Sequence, residues 1–94
     1  MNRPGENKPN PSLLLEDFGP ALLKILEAIE YGAAKHGIRD WQKHPANQYK
    51  EAYYRHSLKG LDLKDEESKL LHIDHMMADL LMYRMQLIRG VGHE

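Results

Sequence analysis

The sequence contains no cysteine, which excludes disulfide bridges and cysteine-ligated zinc sites. It has no apolar run near the ~20 residues needed to span a bilayer, and the polar, proline-rich segment 1–12 lacks the apolar core of a signal peptide. The formal net charge is only −1, so no long-range field attracts nucleic acid or an acidic membrane. We therefore expect a cytoplasmic protein with no nucleic-acid and no membrane partner.

Several catalytic motifs are also missing. There is no G-x-x-x-x-G-K-[ST] phosphate loop and no G-x-G-x-x-G turn. A G-x-S-x-G elbow and a cysteine nucleophile are both absent. The His-Asp doublet of metal-dependent HD phosphohydrolases does not occur either. These absences exclude proteins with a P-loop or a dinucleotide-binding glycine turn. They also exclude hydrolases with a serine-elbow or cysteine nucleophile and the HD phosphohydrolases.

The length of 94 residues corresponds to one domain with a thin core. Chains this short often need a metal or a partner subunit to stabilise them. We expect a homo-oligomer, with a metal held by His and carboxylate groups as the other possibility. Residues 1–12 read as a flexible tail, and residues 13–94 as a single helical domain.

The first helix is predicted to begin near Gly19 and Pro20, because proline suits the first helical turn. Gly37 is expected to end it. Its apolar residues recur at helical spacing and predict a buried stripe. This stripe consists of Leu22, Leu26, Ile29 and Ala33.

Two further helices follow. The second is predicted from an Asn47 N-cap to about Lys59, with Gly60 after it. The third is predicted over about 69–89, capped by Asp65 or Ser68 and ended by Gly90. One apolar face of the third helix is traced by Leu70, Ile73, Met77, Leu80, Leu81, Arg84 and Ile88. Strand signals are absent, so the expected fold is all-α: a three-helix unit with long first and last helices.

Candidate metal ligands lie on the third and first helices. His72, His75 and Asp79 project from one side of the third helix, with Glu67 just before it. Imidazoles at this spacing beside a carboxylate can hold a divalent metal, or they can form a polar surface. Glu27 and Glu30 form an E-x-x-E pair that suits Mg²⁺, although an ordinary solvated face gives the same pattern.

Candidate nucleotide-binding residues lie beside these acids. Tyr31 and Lys35 continue the face of Glu27, and Arg39 and Trp41 follow in a polar loop. Trp41 is either the lid on a small core or a stacking platform for a base. Arg55 precedes His56 on the second helix and suits phosphate, or else it faces solvent.

The segment 27–41, EAIEYGAAKHGIRDW, is similar to a phage motif of the form E-x-x-x-Y-G-A-x-K-[YH]-G-x-x-x-W. The similarity continues through Arg55-His56, Gly60, Asp62, Asp65, Glu67-Ser68 and His72-x-x-His75. Over roughly residues 13–85 the chain resembles a family of short phage proteins described as dATP/dGTP diphosphohydrolases, N-terminal type. Lys69 and Leu71 depart from its pattern, which usually has Gly and Pro there.

The resemblance implies an all-α fold, a purine deoxynucleoside triphosphate substrate and, for a phage protein, a place in the host cytoplasm. It implicates Glu27, Lys35, Trp41, Arg55, His56, Glu67, His72 and His75. The MazG-like pyrophosphohydrolases, which are also all-α, carry E-x-x-E on one helix and a second acidic pair, E-x-x-D, on another. Glu27 and Glu30 match the first pair. Met76 stands in place of the glutamate of the second pair, three residues before Asp79.

Two nucleotide-related functions remain open from the sequence, and a structural or regulatory interaction protein is a third possibility. In the first, an oligomeric enzyme converts dATP or dGTP to the monophosphate and pyrophosphate. Its Mg²⁺ or Mn²⁺ would be held by the catalytic acids Glu27 and Glu67 and by the third-helix face of His72, His75 and Asp79. Its triphosphate contacts would be Lys35, Arg39 and Arg55, and a carboxylate or His56 would activate water. In the second, a non-catalytic module binds and sequesters a nucleotide, including a cyclic signalling nucleotide, without metal.

Overall fold

A computed structural model describes residues 8–91 as three α-helices, and no strand occurs within that range. The helices are α1 (Ser12–His36), α2 (Ala46–Lys59) and α3 (His72–Arg89), with a 3-10 turn at Asp40–Lys43 between α1 and α2. The predicted all-α, three-helix fold is confirmed. None of these helices is both long and apolar enough to cross a membrane.

The helix ends follow the predicted glycines. Gly37, Gly60 and Gly90 are the C-caps of α1, α2 and α3 and all have positive φ. Such a backbone conformation strains residues with a Cβ. These three predicted boundaries are confirmed.

The predicted start of α1 is wrong by several residues. The helix begins at Ser12, and Phe18, with φ −120° and ψ 16°, interrupts it. Pro20 explains the interruption, because it has no N–H for the carbonyl of Glu16 and its ring crowds that carbonyl. The chain therefore passes through a kink instead of beginning its helix at Pro20. Of the predicted tail, residues 1–7 lie outside the described residues.

The other two helix starts also differ from the prediction. Pro45, and not Asn47, is the N-cap of α2. α3 begins at His72 after an N-cap at Leu71, and neither Asp65 nor Ser68 caps it. The cause is the preceding loop, in which Leu70 and Asp65 are joined by a backbone hydrogen bond of 2.7 Å and Lys69 adopts a φ of 66°. Left-handed backbone at Lys69 stops the helix from extending back to it.

The core lies where α1 crosses α3. Ile25 and Ala28 of α1 and Ala78 of α3 form its buried centre. Leu22 and Ile29 pack against this centre as predicted, but Leu26 is 44 % exposed. The buried stripe is therefore rotated away from Leu26, because the small Ala28 and Ala78 allow the two helices to approach closely.

Leu70, at the start of the predicted apolar face, packs against the core just before α3. Most of that face is not the side that the core contacts of α3 bury. The buried residues of α3 are His72, Met76, Ala78 and Gln86. Five large apolar side chains of α3 remain exposed, and we call them the outer face. They are Met77, Leu80, Leu81, Met85 and Ile88. Since α3 carries apolar residues on two sides, periodicity alone did not identify the side that faces α1 and α2.

Gln86 fixes the loop that carries the 3-10 turn. Its side chain is completely buried, and Nε2 lies within hydrogen-bond distance of the carbonyl oxygens of Trp41 (3.3 Å), Gln42 (3.2 Å) and His44 (2.6 Å). A buried amide with three carbonyl partners satisfies polar groups that would otherwise be costly to bury. The loop is thereby held over the space between α1 and α2.

Candidate functional site

A cavity of about 690 Å³ opens between the second half of α1, the 3-10 turn, α2, the α2–α3 loop and α3. Its volume is in the range of small-molecule binding sites, roughly 300–1,000 Å³. Seven rings line it: Tyr31, His36, Trp41, His44, Tyr49, His56 and His75. Lys35, His36 and Arg39 add positive or titratable nitrogen groups, and Asp40, Asp65, Glu67 and Asp79 add carboxylates. Flat rings beside cations suit a ligand that has both an aromatic and an anionic part.

Three histidines from two helices form one cluster. Nδ1 of His56 on α2 and Nδ1 of His72 on α3 share a hydrogen bond of 2.7 Å. The His56 ring also stacks on His75, with 4.8 Å between centroids and 5° between planes. Burial, followed by the neighbouring His75 and His72, lowers the pKa of His56 from 6.5 to about 4. Burial likewise lowers the pKa of His75. Neutral imidazoles of this kind are available as ligands or proton acceptors.

The α2–α3 loop supplies a carboxylate to this cluster. The backbone N–H of Ser68 donates to Oδ2 of Asp65 at 2.8 Å, and this bond is the main reason that the pKa of Asp65 lies below its usual value. The Ser68 hydroxyl shares a hydrogen bond of 2.7 Å with Nε2 of His75. Ligand atoms of His56, Asp65 and His72 all lie within 4.8 Å of one another. Among residues 8–91, these three form the one group of His and acidic side chains that could hold a metal ion.

Asp79 is a second unusual carboxyl group. Its Oδ2 is buried and has no hydrogen-bond partner. Burial raises the pKa of Asp79 to about 7, although the positive charge of Arg55 opposes this effect. The pKa of Tyr49 rises to about 12 because of burial and of the charges of Asp40 and Asp79. A carboxyl group that changes its protonation state near neutral pH is a candidate proton acceptor.

Cationic side chains lie along the exposed part of the cavity. Lys35 Nζ pairs with Glu67 Oε2 at 2.6 Å, and about half of each side chain is exposed. Arg39, also exposed, has a left-handed φ of 62° just before the 3-10 turn. Arg89 lies over the Trp41 ring, 5.4 Å from its centroid, and Trp41 itself lines the cavity. The partial burial of Trp41 fits a lid on the small core, and its position in the cavity lining also makes the ring available for stacking on a base.

The structure brings most of the sequence-predicted residues to one place. Eight of them line the cavity: Tyr31, Lys35, Arg39, Trp41, His56, Glu67, His75 and Asp79. His72 adjoins it through its bond to His56.

The other three predicted residues are not in the described lining of this cavity. Glu27 is exposed and pairs with Lys24 at 3.7 Å on the surface of α1. Glu30 is also exposed. Arg55 is exposed on α2 and reaches the site only through its charge on Asp79. The predicted metal-ligand set of Glu27, Glu30, His72, His75 and Asp79 therefore does not converge on one point.

Three residues at the site were not among the predicted site residues: Tyr49, Asp65 and Ser68. Asp65 and Ser68 were predicted as alternative caps of the third helix. They instead form a local turn that orients a carboxylate and a histidine. Tyr49 lines the cavity and donates from its hydroxyl to the carbonyl oxygen of Trp41 at 2.8 Å. Its position on the side of α2 that carries His56 was the available signal.

No curated protein and no solved structure matched this chain in the comparisons made with them. A protein-family model did match, over residues 2–94 and thus nearly the full sequence. By this match, the chain belongs to the family described as dATP/dGTP diphosphohydrolase, N-terminal.

Proposed function

We propose that this protein hydrolyses purine deoxynucleoside triphosphates, dATP or dGTP, to the monophosphate and pyrophosphate. The observation that carries the proposal is a cavity in which aromatic rings, cations and a His/carboxylate cluster meet. The family's description supports the same substrate class.

The nucleotide would bind with its base among the rings and its phosphates toward the cations. Tyr31, Trp41 and Tyr49 offer flat apolar surfaces to a purine. Lys35 and Arg39 lie where a triphosphate would leave the cavity, and their charges would neutralise it. Lys35 would exchange its present partner, Glu67, for phosphate oxygens.

The reaction would be an attack of water on the α-phosphorus. A P–O bond forms to the water oxygen, and the bond from the α-phosphorus to the bridging oxygen breaks, so that pyrophosphate leaves. Asp79, with a pKa of about 7, is better matched to accept the water proton near neutral pH than His56, with a pKa of about 4. Lys35 and Arg39 would stabilise the negative charge on the leaving group. A divalent cation, Mg²⁺ or Mn²⁺, is part of this proposal and would supply further charge neutralisation.

A second function is favoured by one observation. Glu27 and Glu30, the only E-x-x-E pair of the first helix, are outside the described cavity lining. A protein without this acidic pair at the site could bind a nucleotide by stacking and by Lys35 and Arg39 alone. This alternative is a nucleotide-sequestering module that needs no metal, with a cyclic signalling nucleotide among its candidate ligands.

The test is a chromatographic assay of the purified chain with dATP and dGTP, with and without Mg²⁺ or Mn²⁺. Metal-dependent formation of dAMP or dGMP with equimolar pyrophosphate is expected. Intact triphosphate under all conditions would contradict the hydrolase proposal, and tight binding without turnover would support the sequestering module.

Two lysines of α1 provide a matched pair of variants. Lys35→Gln removes a cavity cation that pairs with Glu67, whereas Lys24→Gln removes a surface cation that pairs with Glu27. We expect Lys35→Gln to weaken triphosphate binding at least ~10-fold, equivalent to about 1.4 kcal/mol. Lys24→Gln should bind like the unmodified chain. Equal binding by the two variants would remove Lys35 from the phosphate site.

A further inference from the structure

We propose that His56, Asp65 and His72 form a binding site for a divalent first-row transition metal, such as Mn²⁺, Fe²⁺ or Co²⁺, in preference to Mg²⁺. The three side chains come from α2, the α2–α3 loop and the first residue of α3. Their ligand atoms lie within 4.8 Å of one another. Two imidazoles and one carboxylate on one side of an ion are a known ligand set for such metals, with open positions for water or substrate.

The ligand types decide against Mg²⁺. Mg²⁺ is a hard cation that takes oxygen ligands and keeps most of its water. Two of the three ligand groups here are the imidazoles of His56 and His72. Imidazole is a good ligand for first-row transition metals. The cluster should therefore select these metals.

The two imidazoles already lie close together. Nδ1 of His56 and Nδ1 of His72 share a hydrogen bond of 2.7 Å, and an ion bound between them would take the place of the shared proton. With metal–nitrogen bonds of about 2.1 Å, both rings reach one ion after a small separation. Two imidazoles and one carboxylate on one side of an octahedral ion leave its remaining positions open.

The surrounding hydrogen bonds hold these ligands in place. The backbone N–H of Ser68 donates to Asp65, and the Ser68 hydroxyl binds His75, whose ring stacks on His56. His72 is 4 % exposed and its backbone N–H donates to the Leu63 carbonyl oxygen at 2.9 Å. Outer-shell contacts of this kind orient metal ligands and raise metal affinity.

The site also deepens the proposed function, because His56 and Asp65 line the cavity. A phosphate oxygen bound there could occupy an open metal position. Metal binding itself is measurable without any nucleotide. Failure of the site and failure of the hydrolase proposal are therefore separate results.

The test uses the full chain, freed of metal with EDTA and titrated with Co²⁺, followed by visible absorption and calorimetry. We expect one Co²⁺ per chain, the weak absorption bands of an octahedral ion, and no displacement by a large excess of Mg²⁺. Binding that is absent, that exceeds one ion per chain, or that Mg²⁺ reverses would overturn the proposal.

Variants then identify the ligands. His72→Gln and Asp65→Asn should each weaken Co²⁺ binding by more than the roughly 10–100-fold expected for loss of an outer-shell contact. Asp65→Asn keeps an oxygen that accepts from the Ser68 N–H. It therefore tests the ligand set even if circular dichroism shows that His72→Gln is unfolded. Asp62→Asn, at an exposed carboxylate of the α2–α3 loop outside the cavity lining, is the control and should bind normally. Unchanged binding by Asp65→Asn, or loss of binding in Glu27→Gln, would refute this ligand set.

Discussion

Replacement of Asp79 by asparagine should make the free protein more stable and less active. Asp79 is partly buried, and its Oδ2 has no hydrogen-bond partner. Burial raises its pKa from 3.8 to about 7. The unfolded chain therefore ionises this group above about pH 4, while the folded chain retains the proton until about pH 7. Folding free energy is lost as the pH rises through this interval, and it stays lost above it.

The magnitude follows from the pKa difference. Between 3.8 and about 7, at about 1.4 kcal/mol per pH unit, the upper limit is about 4 kcal/mol. Because the side chain is only partly buried, solvent screening reduces this value, and we expect ~1–2 kcal/mol. Asp79→Asn removes the ionisable group and keeps its shape. Its gain in unfolding free energy should be near zero below pH 4 and constant above pH 7.

The assay is urea unfolding of the metal-free, nucleotide-free chain between pH 4 and pH 8. Asp62→Asn, at an exposed carboxylate in the α2–α3 loop, is the control and should change stability by less than ~0.5 kcal/mol at every pH. If Asp79 is the proton acceptor of the proposed reaction, Asp79→Asn should also lower hydrolysis by about 10²–10⁴-fold. A loss of stability at pH 8, or a gain that does not vary with pH, would refute this reasoning.

Three other substitutions test the loop before α3, the loop that carries the 3-10 turn, and the outer face of α3. Lys69→Gly should raise the unfolding free energy by up to ~1 kcal/mol, because Lys69 has a φ of 66°; a lower melting temperature would contradict this. Gln86→Leu should destabilise the chain by about 1–3 kcal/mol, since the loop loses its hydrogen bonds from the buried Gln86 amide. The fluorescence of Trp41 should shift to the red, and an unshifted spectrum would show that Gln86 does not fix this loop. Leu81→Glu on the outer face should convert a homo-oligomer to a monomer in light-scattering chromatography, whereas Leu58→Glu, at a residue of α2 that is 88 % exposed, should not. A monomeric unmodified chain would contradict the predicted homo-oligomer.

Local sequence determined the helices and the positions at which they end. The absence of strand signals and the three glycines after α1, α2 and α3 sufficed, because backbone conformation at a helix end depends on the residue that occupies it. The similarity of the segment 27–41 and the later histidines to a known motif also identified the family, which the match over residues 2–94 confirms.

The sequence was less informative about helix faces. α3 has apolar residues on two sides, so its periodicity allowed either Met76 or Met77 to face inward. The choice depended on the close approach of Ala28 and Ala78 and on the buried amide of Gln86. These are contacts between residues far apart in the chain, which propensity and spacing do not encode.

Of the three candidate metal ligands, only His72 was predicted as one from the sequence, and tertiary structure decided the other two. The sequence suggested ligands at helical spacing, namely Glu27 with Glu30 and His72 with His75 and Asp79. In the folded chain His56 and His72, 16 residues apart, share a hydrogen bond, and Asp65 joins them from a loop. Sequence spacing identifies neighbours on one helix, whereas a coordination site needs donors that converge from different directions. Only the packing of α2, the loop and α3 supplies that convergence.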